Sequence, residues 1–220
     1  MRPRRERAAR ATPEAVQLCG IMSREGGPTP HLGDAATVEY RDLVALIRGR
    51  RFAPIEPEAS EIIAYRGVVE GAFASRAIIP APFGTLFRSR DSLLRWLELH
   101  YFTLADTLRY LQDRQAARVR ITTGIAAKGW DTREYKLREA DLEVTAFDSF
   151  RVLRKESVAF VPIPVAGRRT EAEAAFLIER EQWGAFTALV KEEQRRLPDL
   201  HFEQTGPWPP YDFVHLELAG

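Results

Sequence analysis

The sequence predicts an α+β protein built in two parts, and three features of its 220 residues indicate this class. Short apolar runs bounded by Gly and Pro alternate with longer segments whose apolar residues recur every three or four positions, as strands and helices require. Hydrophobic residues make up 45% of the chain and charged residues 29%, which is ordinary for a globular protein. A run at residues 123–135 holds two glycines and predicts a connection between two domains.

The first part begins with a basic tail and a buried strand. Residues 1–14 are predicted to form a disordered tail, because five arginines face one glutamate within the first ten positions. The apolar run at residues 15–22 indicates the first strand. The single cysteine, Cys19, falls inside this strand and is expected to pack as a small hydrophobe. Residues 37–48 predict two further strands or one bent strand.

Two amphipathic helices follow in the first part. The first is predicted over residues 58–73 from an apolar stripe formed by Ile62, Tyr65, Val69 and Phe73. A strand at residues 77–80 comes next, and Ser89 is a good N-cap for a helix that continues to about residue 113. Residues 117–122 alternate as a strand that closes the first domain, residues 15–125. This series predicts an antiparallel or mixed sheet with helices on one face.

The second domain, residues 126–220, is predicted to contain helices and strands of its own. Its predicted elements are a short helix over residues 131–142, strands at 145–150 and 157–165, a helix over 170–197 and a strand at 200–204. Pro162 and Pro164 confine the second of these strands to a sheet edge, because proline lacks an N–H donor. Thr170 and Glu173 form a capping box that predicts the start of the longer helix.

A proline-rich segment near the C-terminus is the most distinctive feature of the chain. Residues 205–214, TGPWPPYDFV, contain three prolines, one glycine and three aromatic residues. Such a run excludes a helix and a central strand and predicts a stiff corner. We expect the chain after Tyr211 to continue as a strand with Phe213 buried. The sequence leaves open whether Trp208 is a core residue or part of a contact surface.

A second segment, residues 80–87, combines a glycine with two phenylalanines in the run PAPFGTLF. Gly84 permits a positive φ or a close backbone approach. The residues alone favour a strand–helix corner packed by Phe83 and Phe87, with a binding site as the alternative.

These segments resemble signatures of the GvpL/GvpF family of gas vesicle proteins. The run TGPWPPYDFV is similar to the family's C-terminal signature, and residues 80–87 resemble its second signature. In that second segment Phe83, Gly84, Thr85 and Phe87 match, whereas Pro82 replaces an arginine. Two further matches occur in the expected order, at residues 64–70, where Tyr65 replaces a histidine, and at residues 174–180. The resemblance covers roughly residues 15–217.

The resemblance implies two α+β domains, the first of them ferredoxin-like, and an accessory role in building gas vesicles. It implies that the hydrophobic shell subunit is the partner, with other gas vesicle accessory proteins as further partners. We therefore expect a protein that is cytoplasmic and gas vesicle associated, which a chain with one cysteine also fits. The candidate protein-binding residues are Phe83, Gly84, Thr85, Phe87, Trp208 and Tyr211.

Other classes of function find little support in the sequence. No apolar run approaches the roughly 18 residues of a transmembrane helix, and no phosphate loop, dinucleotide fingerprint, nucleophile elbow or HExxH motif occurs. We expect no enzyme, cofactor, metal site or small-molecule substrate. The alternative hypothesis is a ferredoxin-like nucleic-acid-binding module that uses the arginine tail, Arg48–Arg51, Arg118 and Arg120. The slightly acidic remainder of the chain disfavours it.

Overall fold

The computed structural model describes residues 15–25, 32–123, 132–165 and 171–216. These residues form two antiparallel sheets and five α-helices, which confirms the predicted α+β class. The strands are β1 (Ala15–Ser23), β2 (Ala36–Tyr40), β3 (Leu43–Arg50), β4 (Ile78–Pro80), β5 (Leu86–Phe87), β6 (Arg114–Thr123), β7 (Ala159–Ile163), β8 (Glu171–Glu179) and β9 (Leu200–Trp208). The helices are α1 (Ala59–Phe73), α2 (Arg90–Leu99), α3 (Tyr101–Leu111), α4 (Thr132–Leu153) and α5 (Trp183–Arg196).

The first sheet has the order β2-β3-β1-β4, with β5 paired to β1. Helix α1 covers one face, where Val44 and Leu46 are buried, and α2 and α3 cover the other face, where Leu43 is buried. The prediction of helices on one face is therefore wrong for this sheet. The physical reason is visible in β3, because a continuous apolar run is typical of a strand that is buried on both faces. Cys19 is fully buried beneath α1, as predicted.

The second sheet has the order β7-β8-β6-β9, and its elements follow one another as β6-α4-β7-β8-α5-β9. This is the ferredoxin-like arrangement, so it lies in the second half of the chain and not in the first domain, where the resemblance predicts it. Strand β6 was also assigned to the first domain, yet it pairs with β8 and β9 along most of its length. The chain therefore changes sheets at residues 112–113, ahead of the predicted connection. Most of that connection, residues 124–131, lies outside the described residues, as does the predicted tail.

Three predicted elements differ in the structure. The strand predicted at residues 145–150 lies inside α4, because Leu142, Ala146 and Phe150 form a helical stripe buried against the second sheet. The start of the helix predicted over residues 170–197 is the central strand β8, and only α5 is helical. The single helix predicted after Ser89 is divided into α2 and α3 at His100. Ser89 itself caps α2 as expected, since its hydroxyl accepts a hydrogen bond from the Ser92 N–H at 3.1 Å.

The two faces of the second sheet have different neighbours. Val119 and Ile121 of β6 are buried beneath α4 and α5. Side chains alternate along a strand, so Arg118 and Arg120 lie on the opposite face. Leu177 of β8 also lies on that face and packs into the core formed by the first sheet, α2 and α3. The two halves of the chain therefore meet across the face that carries the arginines.

The proline-rich segment begins as the end of β9 and then leaves the sheet. Strand β9 is at the sheet edge, as its proline requires, and the Gly206–Pro207 peptide is cis. Residues Tyr211–Phe213 form one turn of 3-10 helix, so the predicted strand after Tyr211 is wrong. Phe213 is half-buried rather than buried and packs against the first core together with Val214 and Leu216.

Candidate functional site

The two signature segments line one cleft, although they are more than 100 residues apart in the sequence. The cleft has a volume of about 470 Å³ and lies between α1 and the arginine-bearing face of the second sheet. Phe83 comes from the first segment, and Trp208 and Tyr211 come from the second. The remaining lining residues are Ile62, Tyr65, Arg66, Glu70, Arg118, Arg120, Glu173, Thr205 and Asp212.

Helix α1 forms one wall of the cleft. The hydroxyl of Tyr65 donates a hydrogen bond to the carbonyl oxygen of Ala81, and the Tyr65 ring meets Phe83 edge to face at a centroid distance of 5.5 Å. At the next position of the helix, the Arg66 guanidinium lies 5.5 Å from the centre of the Trp208 indole. Arg66 also forms an ion pair with Glu70 at 2.8 Å, as residues four apart on a helix can.

Strand β6 supplies two arginines from the opposite wall. Arg118 binds the carboxylate of Asp212 through Nε at 3.0 Å and Nη2 at 2.7 Å. This hydrogen bonding raises the pKa of the Arg118 guanidinium, with the negative charge of the carboxylate adding to the shift. Arg120 lies 3.5 Å from Glu173 and 3.7 Å from Glu203. The walls of the cleft are therefore charged, whereas Phe83 and Trp208 give it an aromatic surface.

Trp208 and Tyr211 differ in the hydrogen bonding of their polar atoms. The indole Nε1 of Trp208 donates to the hydroxyl of Thr205 at 3.1 Å, and Trp208 is half-buried. The Tyr211 hydroxyl is buried without a hydrogen-bond partner among the described residues. Burial raises the pKa of Tyr211 to about 12, and the nearby Glu70 carboxylate adds to the effect. Tyr211 therefore stays neutral at physiological pH.

The other candidate residues do not line the cleft. Thr85 is buried, and its hydroxyl donates to the carbonyl oxygen of Pro82 at 2.7 Å. Gly84 has a φ of +85°, which allows the tight turn that precedes β5. The ring of Phe87 packs against Trp96 at 5.6 Å in the first core. These three residues form the packed corner that the residue pattern favoured, and this corner presents Phe83 to the cleft.

Arg48 and Arg50, two of the arginines invoked for nucleic-acid binding, are engaged with carboxylates. Arg48 is buried within β3, where it contacts Asp34 at 3.2 Å and Glu61 at 3.0 Å. Arg50 also pairs with Glu61. Hydrogen bonds from Arg50 and Arg48 hold the pKa of the Glu61 carboxyl below its ordinary value. Neutralised guanidinium groups provide little of the positive potential that nucleic-acid binding requires.

The described part of the chain contains neither a metal-binding cluster nor a membrane-spanning helix. Within residues 15–25, 32–123, 132–165 and 171–216, no group of three or more His, Cys, Asp or Glu side chains is arranged to hold a metal ion. Among the helices in the same ranges, none combines the length and the apolar character needed to cross a membrane.

Burial raises the pKa of the Cys19 thiol to about 12, so this cysteine is a poor nucleophile.

Comparison with known proteins decides the family. The family model described as "Gas vesicle synthesis protein GvpL/GvpF" matches residues 26–128 and 131–215. The chain belongs to the GvpL/GvpF family. The resemblance inferred from the signature segments is thereby confirmed, and the protein is gas vesicle-related.

Relatives of this GvpL/GvpF protein come from archaea and bacteria. It is 27% identical to gas vesicle protein F2 of Halobacterium salinarum over 188 residues, which cover 84% of this chain and 82% of the relative. It is 28% identical to gas vesicle protein F of a Streptomyces species over 193 residues, which cover 73% of this chain and 79% of the relative.

Two crystal structures share the fold of this GvpL/GvpF protein. The gas vesicle protein GvpF from Anabaena has a TM-score of 0.76 at 17% identity, over 92% of this chain and 97% of that structure. GvpF from Microcystis aeruginosa has a TM-score of 0.70 at 16% identity, over 92% of this chain and all of that structure.

Several residues of the cleft in this GvpL/GvpF protein were not among the sequence candidates. Arg66 and Glu70 lie in the matched segment 64–70, and that match was a signal that could have identified them. Arg118 enters only the nucleic-acid alternative, because nothing in the local sequence indicates that Asp212 approaches it. Trp208, Tyr211 and Phe83 are the candidates that the fold brings together.

Proposed function

We propose that this protein binds the hydrophobic shell subunit during gas vesicle assembly, and that the cleft is its binding site. The observation that carries the proposal is the meeting of Phe83, Trp208 and Tyr211 in one cleft. Membership of the GvpL/GvpF family supplies the biological context. Other gas vesicle accessory proteins are further partners in this proposal, which assigns no catalytic step to the chain.

The physical properties of the cleft suit such a partner. A subunit with a large exposed apolar surface aggregates before it assembles, so a protein that covers part of that surface keeps it available. Tryptophan and tyrosine are the residues that most often anchor protein interfaces, because each buries a large rigid surface and also has a polar atom. A cleft of about 470 Å³ falls within the size range of sites that accept a ligand group.

The proposal is tested by co-purification of the shell subunit with tagged wild-type protein and with the variant Trp208→Ala. We expect the variant to retain its fold and to capture the subunit at least ~10-fold more weakly, as expected for loss of an interface anchor. Phe102→Ala is the matched control. Phe102 is an aromatic residue of α3 that is 76% exposed and lies outside the cleft, so its loss should leave capture unchanged.

Two results would contradict the proposal. Failure of the folded wild-type protein to bind the shell subunit at any stage of assembly would remove the function. If Phe102→Ala lost capture of the shell subunit and Trp208→Ala retained it in full, the binding surface would lie at the corner between α2 and α3 and not in the cleft. Circular dichroism and thermal unfolding of each variant establish that a loss of capture is not a loss of fold.

A further inference from the structure

The charged groups at the cleft are not equally accessible. The side chains of Arg66, Arg118 and Arg120 are 49%, 40% and 46% exposed. Their partners Asp212 and Glu173 are only 18% and 14% exposed. The three guanidinium side chains are therefore more exposed than these two carboxylates, although both carboxylates line the cleft and Glu70 is 36% exposed.

Arg120 retains donors for a further partner. Its contacts with Glu173 and Glu203, at 3.5 and 3.7 Å, are longer than an N–H···O hydrogen bond. A guanidinium group has five N–H donors in a planar fork that matches the two oxygens of a carboxylate. Arg118 differs, because two of its N–H groups are already bound to Asp212. Arg120 is thus the arginine of this wall that is best able to bind a new carboxylate.

An aromatic surface lies in the same cleft as these cations. Phe83 and Trp208 both line the cleft, and the Arg66 guanidinium is placed over the indole ring of Trp208. An apolar side chain that contacts Trp208 is therefore within the same cleft as the guanidinium groups of Arg66 and Arg120. The cleft combines an apolar contact with an adjacent site for negative charge.

We propose that the cleft recognises a peptide segment that carries an apolar side chain and, nearby in its sequence, a carboxylate. The apolar side chain packs against Phe83 and Trp208, and the carboxylate accepts hydrogen bonds from Arg120, with Arg66 adding positive charge. This inference rests on the proposed function for the source of the segment, which is the shell subunit. The recognition chemistry itself is a property of the cleft and can be measured separately.

The probe is a pair of rhodamine-labelled eight-residue peptides of Gly and Ser that contain Trp-Glu or Trp-Gln at the centre. Binding is followed by fluorescence anisotropy at low and high salt. We expect the Glu peptide to bind at least ~10-fold more tightly than the Gln peptide, and the difference to shrink as salt screens the charges. Arg120→Gln should abolish the difference. Arg109→Gln should preserve it, because Arg109 is 72% exposed on α3 and pairs with Asp106 outside the cleft.

A charge exchange provides a second measurement. Arg120→Glu should bind a Trp-Lys peptide more tightly than the Trp-Glu peptide, which a merely structural role of Arg120 would not produce. Equal binding of the Glu and Gln peptides, or discrimination that persists in Arg120→Gln, overturns the inference. Capture of the shell subunit would in that case still support the proposed function. Clear discrimination between the peptides without any capture of the shell subunit supports the cleft chemistry and rejects the shell subunit as its source.

Discussion

The carboxylate of Asp212 accepts two hydrogen bonds from the guanidinium of Arg118, at 3.0 and 2.7 Å, across 94 positions of the sequence. Arg118 lies in the ferredoxin-like sheet. Asp212 lies in the 3-10 turn, and the two residues that follow Asp212, Phe213 and Val214, pack on the first core. A bidentate pair fixes direction as well as distance. This contact therefore holds the C-terminal segment across the boundary between the two halves.

Asp212→Asn is expected to lower the stability of the whole chain modestly. The variant keeps the shape but loses the charge, and Arg118 is 40% exposed, so solvent screening limits the loss to about 1 kcal/mol. For a chain of this size the melting temperature should fall by roughly 2–4 °C, as measured by calorimetry. Asp106→Asn is the control, because its pair with Arg109 is exposed on both sides and should contribute less than about 0.5 kcal/mol. Equal changes in melting temperature for the two substitutions would show that the Arg118–Asp212 pair stabilises the protein no more than an exposed pair does.

Gly206→Ala is expected to be strongly destabilising. Gly206 has a φ of +124°, and an added Cβ would lie 2.8 Å from the carbonyl oxygen of Ala116 and 3.0 Å from the Trp183 ring. Strain of this kind costs on the order of 1–3 kcal/mol, and the steric contact adds to it. Gly184→Ala in α5 should have the opposite sign, because a Cβ there meets no atom within 4 Å and helical alanine is favoured by about 1 kcal/mol. Urea unfolding of both variants tests the pair, and a stable Gly206→Ala variant would contradict the described backbone.

Tyr65→Phe tests the hydrogen bond that positions α1 beside the FGT segment. Removing the hydroxyl leaves the Ala81 carbonyl without this donor, which should cost about 1–2 kcal/mol because the site is buried. The ring contact with Phe83 should remain. Tyr110→Phe changes a tyrosine that is 47% exposed and should alter stability by less than about 0.5 kcal/mol. Chemical denaturation distinguishes the two, and equal values would argue against a strong Tyr65–Ala81 bond.

Glu193 is expected to make stability depend on pH in the acid range. Glu193 is buried in α5, and its hydrogen bond from Arg196, at 2.9 Å, holds the pKa of the carboxyl below its ordinary value of 4.5. A depressed folded-state pKa gives stability that is present above pH 4.5 and is lost as pH falls through the folded-state pKa. Glu193→Gln should therefore be less stable than wild type by about 1–2 kcal/mol at pH 7. The difference should narrow in urea unfolding at acid pH, and a constant difference would contradict the linkage.

The sequence predicts helices and strands most accurately where only one face of the helix or strand is buried. Helix α1 and strand β7 occur where their patterns place them, because the stripe of α1 and the prolines of β7 leave few alternatives. Strand β8 was predicted as a helix because its start reads as a capping box and its run Ala174–Ile178 is apolar throughout. Helices α4 and α5 cover one face of this strand, where Phe176 is buried, and the first core covers the other face, where Leu177 is buried. Such a run has no periodicity that distinguishes it from a buried helix.

The candidate site was predictable only in part. Trp208, Tyr211 and Phe83 were identified by segment signatures, whereas Gly84, Thr85 and Phe87 belong to the corner behind the cleft. The assignment of β6 to the second sheet and the contact of Arg118 with Asp212 depend on pairings between residues far apart in the sequence. No local pattern determines such pairings, so the composition of the opposite wall required the structure.

The packing of Phe213, Val214 and Leu216 on the first core has a consequence for biosynthesis. Every strand and helix of the first half leaves the ribosome well before these three residues, yet the core they complete is closed only when they arrive. The first half therefore spends most of translation with apolar surface uncovered, even though N-terminal domains generally fold first. The C-terminal segment therefore joins the two halves only after both have been synthesised.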